Sequence, residues 1–266
     1  MDRIILIGTG ETKELTTFEA VSQIRGEKGS EVELFIERVD KSGEKSYLTL
    51  KVIRDIIDIP SVKGEVLMLS GQRIGHLEVS IFGDQTNKLM NQAITHFLDE
   101  KVEAIILDLR SNGGGLLTSA VDLAGHFLEP ESLVVQTKYR NYEDVLYHSK
   151  GFGELSHIPM VILINQLSAS ASEILALALR ENRNILIVGE ESFGKGSIQT
   201  LSDFDNNSSL KYTIGKRYGP KGTSIDEVGI VPDIEVVFDG TGYVEQRIDN
   251  QLEEAKQLLY QQLHGQ

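Results

Sequence analysis

The chain of 266 residues has no cysteine. That removes a disulfide framework, thiol catalysis and cysteine-ligated zinc. It leaves the compartment open, because a chain without thiols works in oxidising and reducing surroundings alike. No apolar run approaches the roughly 18 residues of a membrane-spanning helix. Basic residues are scarce: 26 Lys and Arg face 40 Asp and Glu, a net charge of −14. No basic run interrupts that balance, which disfavours nucleic-acid phosphates and anionic membranes as partners. The six histidines include no HExxH pair, and no serine sits in a G-x-S-x-G elbow. Neither a zinc hydrolase nor a Ser-His-Asp triad has its signature here.

What is present describes a folded globular protein, 40% hydrophobic and 25% charged. Its length suits one large domain, or one domain with a small companion. The first 60 residues read as the companion. Ile4 to Ile7 form a strand, and Thr16 or Thr17 caps a helix through Ile24 with Glu19 in capping-box position. Strands over Glu31–Val39 and Lys45–Arg54 follow, joined at Asp40-Lys41-Ser42-Gly43. The opening, Met1 to Gly8, is too short and too early charged for a signal peptide. It reads as a strand that begins at once, which leads to the expectation of further chain upstream.

Residues 61–266 read as a second domain in which short strands alternate with helices, the pattern of a mixed α/β fold. Expected strands include Val66–Leu69, Ile74–Val79, Ala104–Leu109, Ser132–Thr137, Met160–Ile164 and Ile185–Val188. Expected helices span Thr86–Leu98, Leu116–Leu128 and Ala171–Arg180, and Ser197–Tyr218 reads as a hairpin. Ala104–Leu109 is apolar enough to be buried on both faces of a parallel sheet. The tail, Val244–Gln262, carries Leu252, Ala255, Leu258 and Leu259 at helical spacing, which suits surface packing or oligomerisation.

Three segments carry candidate chemistry. Asp108-Leu109-Arg110-Ser111-Asn112-Gly113-Gly114-Gly115 leaves a buried strand and opens a helix. Its glycines can bare N–H groups to a phosphate or an oxyanion, or merely turn the chain. In Ser168-Ala169-Ser170-Ala171-Ser172-Glu173, small residues bring hydroxyls to a helix start, where Ser168 or Ser170 also suits a plain N-cap. Lys195 stands between Gly194 and Gly196. Glycine neighbours allow burial, which lowers a lysine's pKa and makes it a base, although an exposed loop lysine fits as well. With no histidine base in sight, a Ser-Lys pair is the remaining route to an activated hydroxyl.

Together these segments resemble the C-terminal processing peptidases of serine peptidase family S41, over nearly the whole chain. The turn at Asp108–Gly114, the serine segment, Phe193-Gly194-Lys195-Gly196-Ser197-Ile198-Gln199 and the stretch Tyr218–Ile225 with Gly229-Ile230-Val231-Pro232-Asp233 are similar to four family motifs in order. The resemblance implies a ClpP/crotonase-like core and a serine endopeptidase acting on C-terminal regions of partly unfolded proteins. It makes Ser170 the nucleophile, Lys195 the general base and Gln199 the group that positions the lysine from the same strand face. Backbone N–H groups of Ala171, Gly113 and Gly114 would form the oxyanion hole. It implies no metal or cofactor, protein or peptide substrates, export beyond the cytoplasm, and leaves a homo-oligomer open.

The family also carries a PDZ module. Residues 1–60 resemble its latter part, so that its earlier strands and carboxylate-binding loop are expected before Met1. Gly113 replaces a frequent proline and Gly219 a frequent threonine of the family. A non-catalytic peptide-binding module on the same fold, a crotonase-type acyl-CoA enzyme and a structural oligomer are the competing readings. The first two leave the Ser-Lys pair without a use, as does the third. The acidic balance disfavours acidic substrates at low salt, and only weakly, since screening acts within about 10 Å.

Overall fold

A computed structural model describes residues 2–40, 43–56, 60–205 and 208–265. The chain divides into two compact units, Met1–Ile59 and Pro60–Gln266. The first holds strands β1 (Asp2–Ile7) and β2 (Gly10–Glu11), helix α1 (Thr17–Ile24), and strands β3 (Glu31–Val39) and β4 (Lys45–Ile53). They form an antiparallel sheet in the order β2-β1-β3-β4. Thr16 caps α1 in the expected capping box: its N–H donates to Glu19 Oε2 at 2.8 Å, and the Glu19 N–H returns to Thr16 Oγ1 at 3.3 Å. Arg54, expected inside the last strand, instead closes the far end of α1. Its guanidinium donates to the carbonyls of Gln23 and Ile24, which no helical N–H can reach. The core of this unit is small, built on Ile7, Val32, Leu34 and Ile36. Lys41 and Ser42 of the expected turn lie outside the described residues.

The second unit begins with a hairpin of β5 (Val62–Leu69) and β6 (Gln72–Val79), followed by α2 (Thr86–Asp99), β7 (Ala104–Asp108) and α3 (Leu117–Phe127). Then come β8 (Leu133–Tyr139), β9 (Val145–His148), β10 (Met160–Ile164), α4 (Ala171–Arg183) and β11 (Leu186–Gly189). The chain ends with β12 (Ser197–Asp203), β13 (Ser209–Tyr218), β14 (Ile234–Glu235), α5 (Gly240–Gln246) and α6 (Asn250–His264). One sheet runs β14-β11-β10-β7-β6-β5, parallel except for the β5 edge. The other is antiparallel, β12-β13-β8-β9.

Period-two alternation places the sheet's apolar residues on two faces. Leu77, Ile105, Leu107, Ile162, Ile164 and Ile187 join the larger core with residues of α2, α3 and α4. Ile74, Ala104, Ile106, Val161, Leu163 and Val188 pack with Ala255 and Leu259 of α6. Every residue of β7 and β10 is buried, as two covered faces require.

The tail departs from the single helix expected over Val244–Gln262. Arg247 takes a left-handed conformation, φ 59°, and ends α5. Asp249 then starts α6, its Oδ1 accepting from the N–H groups of Gln251 and Leu252 at 3.1 and 3.0 Å. The apolar stripe of α6 lies on the sheet, so it serves as core rather than as a free oligomerisation face. Strands β9 and β14 were not expected; at four and two residues they carry too short a pattern to read. Replacing Leu259, which is fully buried, by alanine is expected to lower stability by about 2–5 kcal/mol. Urea unfolding should show this as a drop in midpoint, and an unchanged midpoint would remove α6 from the core.

Candidate active site

The strands β7, β10 and β11 are parallel neighbours, so the loops that leave them, residues 109–116, 165–170 and 190–196, emerge at one sheet edge. That edge, past the carboxyl ends of the strands, is where open α/β sheets place their sites. All three segments singled out in the sequence meet there.

Asn112 pins the first loop to the second. It is fully buried; its Nδ2 donates to the Val79 carbonyl at 2.8 Å and its Oδ1 accepts from Gly114 N–H at 2.9 Å. Its own carbonyl accepts from Ala169 N–H at 3.0 Å and Ser172 Oγ at 2.8 Å. Gly114, at φ 101°, passes so close to the serine segment that a Cβ there would sit 2.8 Å from Ser170 Cβ and 3.0 Å from Ala171 N. Only glycine permits that approach. Gly113 faces open space. Of the three N–H groups expected to bind an oxyanion, that of Gly114 is engaged by Asn112 Oδ1 within its own turn.

The three serines of the second loop differ sharply. Ser168 is fully buried, donating to the Leu109 carbonyl at 2.8 Å and accepting from Asn165 N–H at 3.0 Å. Ser172 is fully buried on the Asn112 carbonyl. Ser170 is half-buried and holds φ 57°, ψ −113° at the start of α4. A side-chain-bearing residue in that region is strained, and such strain persists where surrounding contacts over-determine the backbone.

The contact responsible is Glu173, which the sequence reading left without a role. Its carboxylate is fully buried. Oε2 accepts from Ser170 N–H at 2.7 Å and from Lys195 N–H at 3.0 Å. Oε1 accepts from Gly194 N–H at 2.7 Å and Ser192 Oγ at 2.6 Å. One oxygen thus bridges the backbones of the two residues proposed to react. The signal was in the sequence: Ser170-x-x-Glu173 has the same capping spacing as Thr16-x-x-Glu19.

Lys195 itself is exposed, the second of the two alternatives that its glycine neighbours left open. They serve another purpose. A Cβ on Gly194 would meet Gly229 N at 2.9 Å, and one on Gly196 would meet Asp226 N at 2.7 Å, so the glycines admit the backbone of residues 226–229. Gln199 is also exposed, within β12 and opposite Thr213. Lys195 precedes the strand, and the register shifts between Ile198 and Gln199, so no regular strand face joins the two. Among the described residues, no hydrogen bond links the side chains of Ser170, Lys195 and Gln199 to one another. Nor, among those residues, does any cluster of acidic and histidine side chains suit a metal ion.

The sequence model of Peptidase family S41 matches residues 73–236, which contain all three loops. The chain belongs to peptidase family S41. It is 40% identical over 226 residues to a carboxy-terminal-processing protease of Bartonella bacilliformis, covering 83% of this chain and 50% of that protein. It is 32% identical over 234 residues to the carboxy-terminal processing protease CtpA of Bacillus subtilis, covering 88% of this chain and 48% of that one. Among solved structures, a photosystem II D1 C-terminal processing protease superposes with a TM-score of 0.64 at 28% identity, covering 89% of this chain and 63% of that one. The chain spans about half the length of the curated relatives it matches.

Behind the glycine turn of this S41 chain lies a buried ionic network. Asp108, at the end of β7, receives Arg110 Nη2 at 2.6 Å, and Arg110 also reaches Asp249 Oδ1 and Gln251 Oε1 at 3.0 Å each. The network thereby ties the start of α6 to the turn. His76 lies between two carboxylates, Nε2 at 3.3 Å from Asp108 Oδ2 and Nδ1 at 3.0 Å from Glu65 Oε1. Burial by itself disfavours the imidazolium, but its bonds to Asp108 and Glu65 outweigh that and raise its pKa above the ordinary value. Burial likewise works against ionised Asp108, and His76 and Arg110 overcome it, holding the carboxyl below its usual range.

Glu173→Gln puts an amide NH2 among N–H donors, and the unfolding free energy should fall by about 2 kcal/mol; an unchanged value would mean the carboxylate is not the tether. A raised folded-state pKa at His76 stabilises the fold fully below about pH 6.5, and that stabilisation is lost as pH rises through the folded value. Melting curves from about pH 6 to about pH 8 should therefore show a decline that His76→Gln flattens. Equal slopes in the two proteins would place no charge on His76.

Proposed function

We propose that this chain is the peptidase portion of a C-terminal processing serine endopeptidase, with Ser170 as nucleophile and Lys195 as general base. The observation that carries the reading is the shared Glu173 oxygen, which holds Ser170 N–H and Lys195 N–H at 2.7 and 3.0 Å. A structural serine cap has no need of a second loop on the same oxygen. The strained Ser170 backbone and the glycine turn pressed against it support the same reading, since acyl transfer needs a fixed hydroxyl beside N–H donors.

In this mechanism Lys195, in its neutral form, takes the Ser170 proton as Oγ attacks the peptide carbonyl. The N–H groups of Gly113 and Ala171 bind the oxyanion. The ammonium then protonates the departing amine, and water, deprotonated again by the lysine, releases the acyl group. A lysine works as a base only when neutral. Gln199 completes the reading by orienting the lysine once substrate draws the loop in. The substrates are C-terminal regions of partly unfolded proteins, and export is part of the same reading. The first unit, one helix on an antiparallel sheet, is read as the latter part of a PDZ module, which would offer such chains a strand to pair with.

The exposure of Lys195 favours one second reading, a peptide-binding module without turnover. Casein cleavage by the wild-type chain, Ser170→Ala and Lys195→Ala separates the two. Loss of at least about 10³-fold in both folded variants is expected. Normal cleavage by either would remove that residue from its role, and silence from all three proteins would favour the binding module.

A further inference from the structure

Arg217 is half-buried on β13, and its guanidinium makes no hydrogen bond or ion pair with any described residue. Its Nε is sealed from solvent and unbonded. The other half-buried arginines of this unit are all served. Arg110 holds Asp108 and Asp249, Arg180 holds Asp233, and Arg183 donates to the carbonyls of Phe127, Leu155 and Ile158. In a chain with 40 acidic residues, none of those described is placed against Arg217.

A second orphan stands beside it. Thr137 is the direct cross-strand partner of Arg217 in the β8–β13 ladder, so the two side chains share one face of the sheet. Thr137 is buried, and its Oγ1 also lacks a partner. Tyr139 lies two residues along the same face, and Tyr147 faces Val135 on the neighbouring strand. Burial disfavours the charge on Arg217, and the two phenols offset that only in part. A planar cation and an unpartnered hydroxyl side by side on one sheet face form a pair suited to a carboxylate, which a guanidinium binds with two parallel N–H donors.

The place of this set is informative. Arg217 N–H donates to the Gly196 carbonyl at 2.9 Å, one residue from Lys195. Arg217 also stands close to Ile174 and Leu177, on the first turns of the Ser170 helix, across an apolar gap too narrow for a water molecule. We propose that Arg217 and Thr137 form a subsite for a carboxylate of the bound peptide, next to the Ser170–Lys195 edge. That the ligand is a peptide rests on the peptidase reading; the affinity for a carboxylate does not. The overall charge of −14 opposes acidic ligands, so a preference for them has to arise from a local group such as this one.

The chain has no tryptophan, so a tryptophan-bearing peptide reports its own binding by fluorescence. Three alanine-rich peptides are titrated into the Ser170→Ala chain: one amidated and neutral, one with a free C-terminus, one amidated with a single Glu. At least one carboxylate peptide should bind about tenfold tighter than the neutral one, and which one identifies the carboxylate as terminal or side-chain. Adding Arg217→Met should bring the peptides within about twofold of each other, with Thr137→Val causing a smaller loss. Both variants remove an orphaned polar group, so their unfolding midpoints should match or exceed the parent's. Absence of any carboxylate preference in the parent, including absence of binding, overturns the proposal, as does a preference that survives Arg217→Met. If Arg217→Met does not fold, Arg217→Lys keeps the charge and loses the fork; a full preference in that variant overturns it too. Casein cleavage without a carboxylate preference sinks this subsite and leaves the peptidase, and a preference without cleavage does the reverse.

Discussion

The Glu173 carboxylate is the contact on which the arrangement of this site depends. Four donors from two loops converge on its two oxygens: Ser170 N–H from one, and Ser192 Oγ, Gly194 N–H and Lys195 N–H from the other. A fully buried carboxylate is costly unless its lone pairs are filled, and here filling them forces the lysine loop against the start of α4. The left-handed backbone at Ser170 follows from the same demand, because its N–H must turn to meet Oε2. Asn112 holds the glycine turn in two ways: its side-chain amide binds the Val79 carbonyl and Gly114 N–H, and its main-chain carbonyl accepts from Ala169 N–H and Ser172 Oγ of the serine segment. Two buried polar residues, one through its side chain and one through side chain and main chain together, thus hold three loops in register at one sheet edge.

The parallel sheet supplies what those side chains cannot. Buried on both faces, β7 and β10 give the loops a common origin that packing alone keeps rigid. Arg110 links that edge to α6 through Asp249 and Gln251, so the C-terminal helix belongs to the support of the glycine turn as well as to the core. Against this background of satisfied groups, the bare guanidinium of Arg217 is an exception that the fold itself does not account for.

Much of the architecture was legible in the sequence because its signals are local. The capping box at Thr16 and Glu19, the apolar run of Ala104–Leu109 and the helix after Ser170 came from residue spacing and composition. So did the glycine, serine and lysine loops that the fold brings to one sheet edge. The tail was misread because Leu252, Ala255, Leu258 and Leu259 set a helical period, while the break before them rests on Asp249 capping and a left-handed Arg247. The spacing of glycines around Lys195 was legible; their purpose was not, since the 226–229 backbone that they admit lies some 30 residues away.

Spacing and composition were enough for most of the elements and for the division of the chain near residue 60. Folding sets which serine is strained and which are spent on backbone carbonyls, that Glu173 is a tether rather than a simple cap, and that Lys195 is exposed. It also decides that Arg217 and Thr137 stand side by side without partners. The reason is one of range: helix caps and strand alternation act over a few residues, whereas the satisfaction of a buried polar group depends on which distant strands the fold brings beside it.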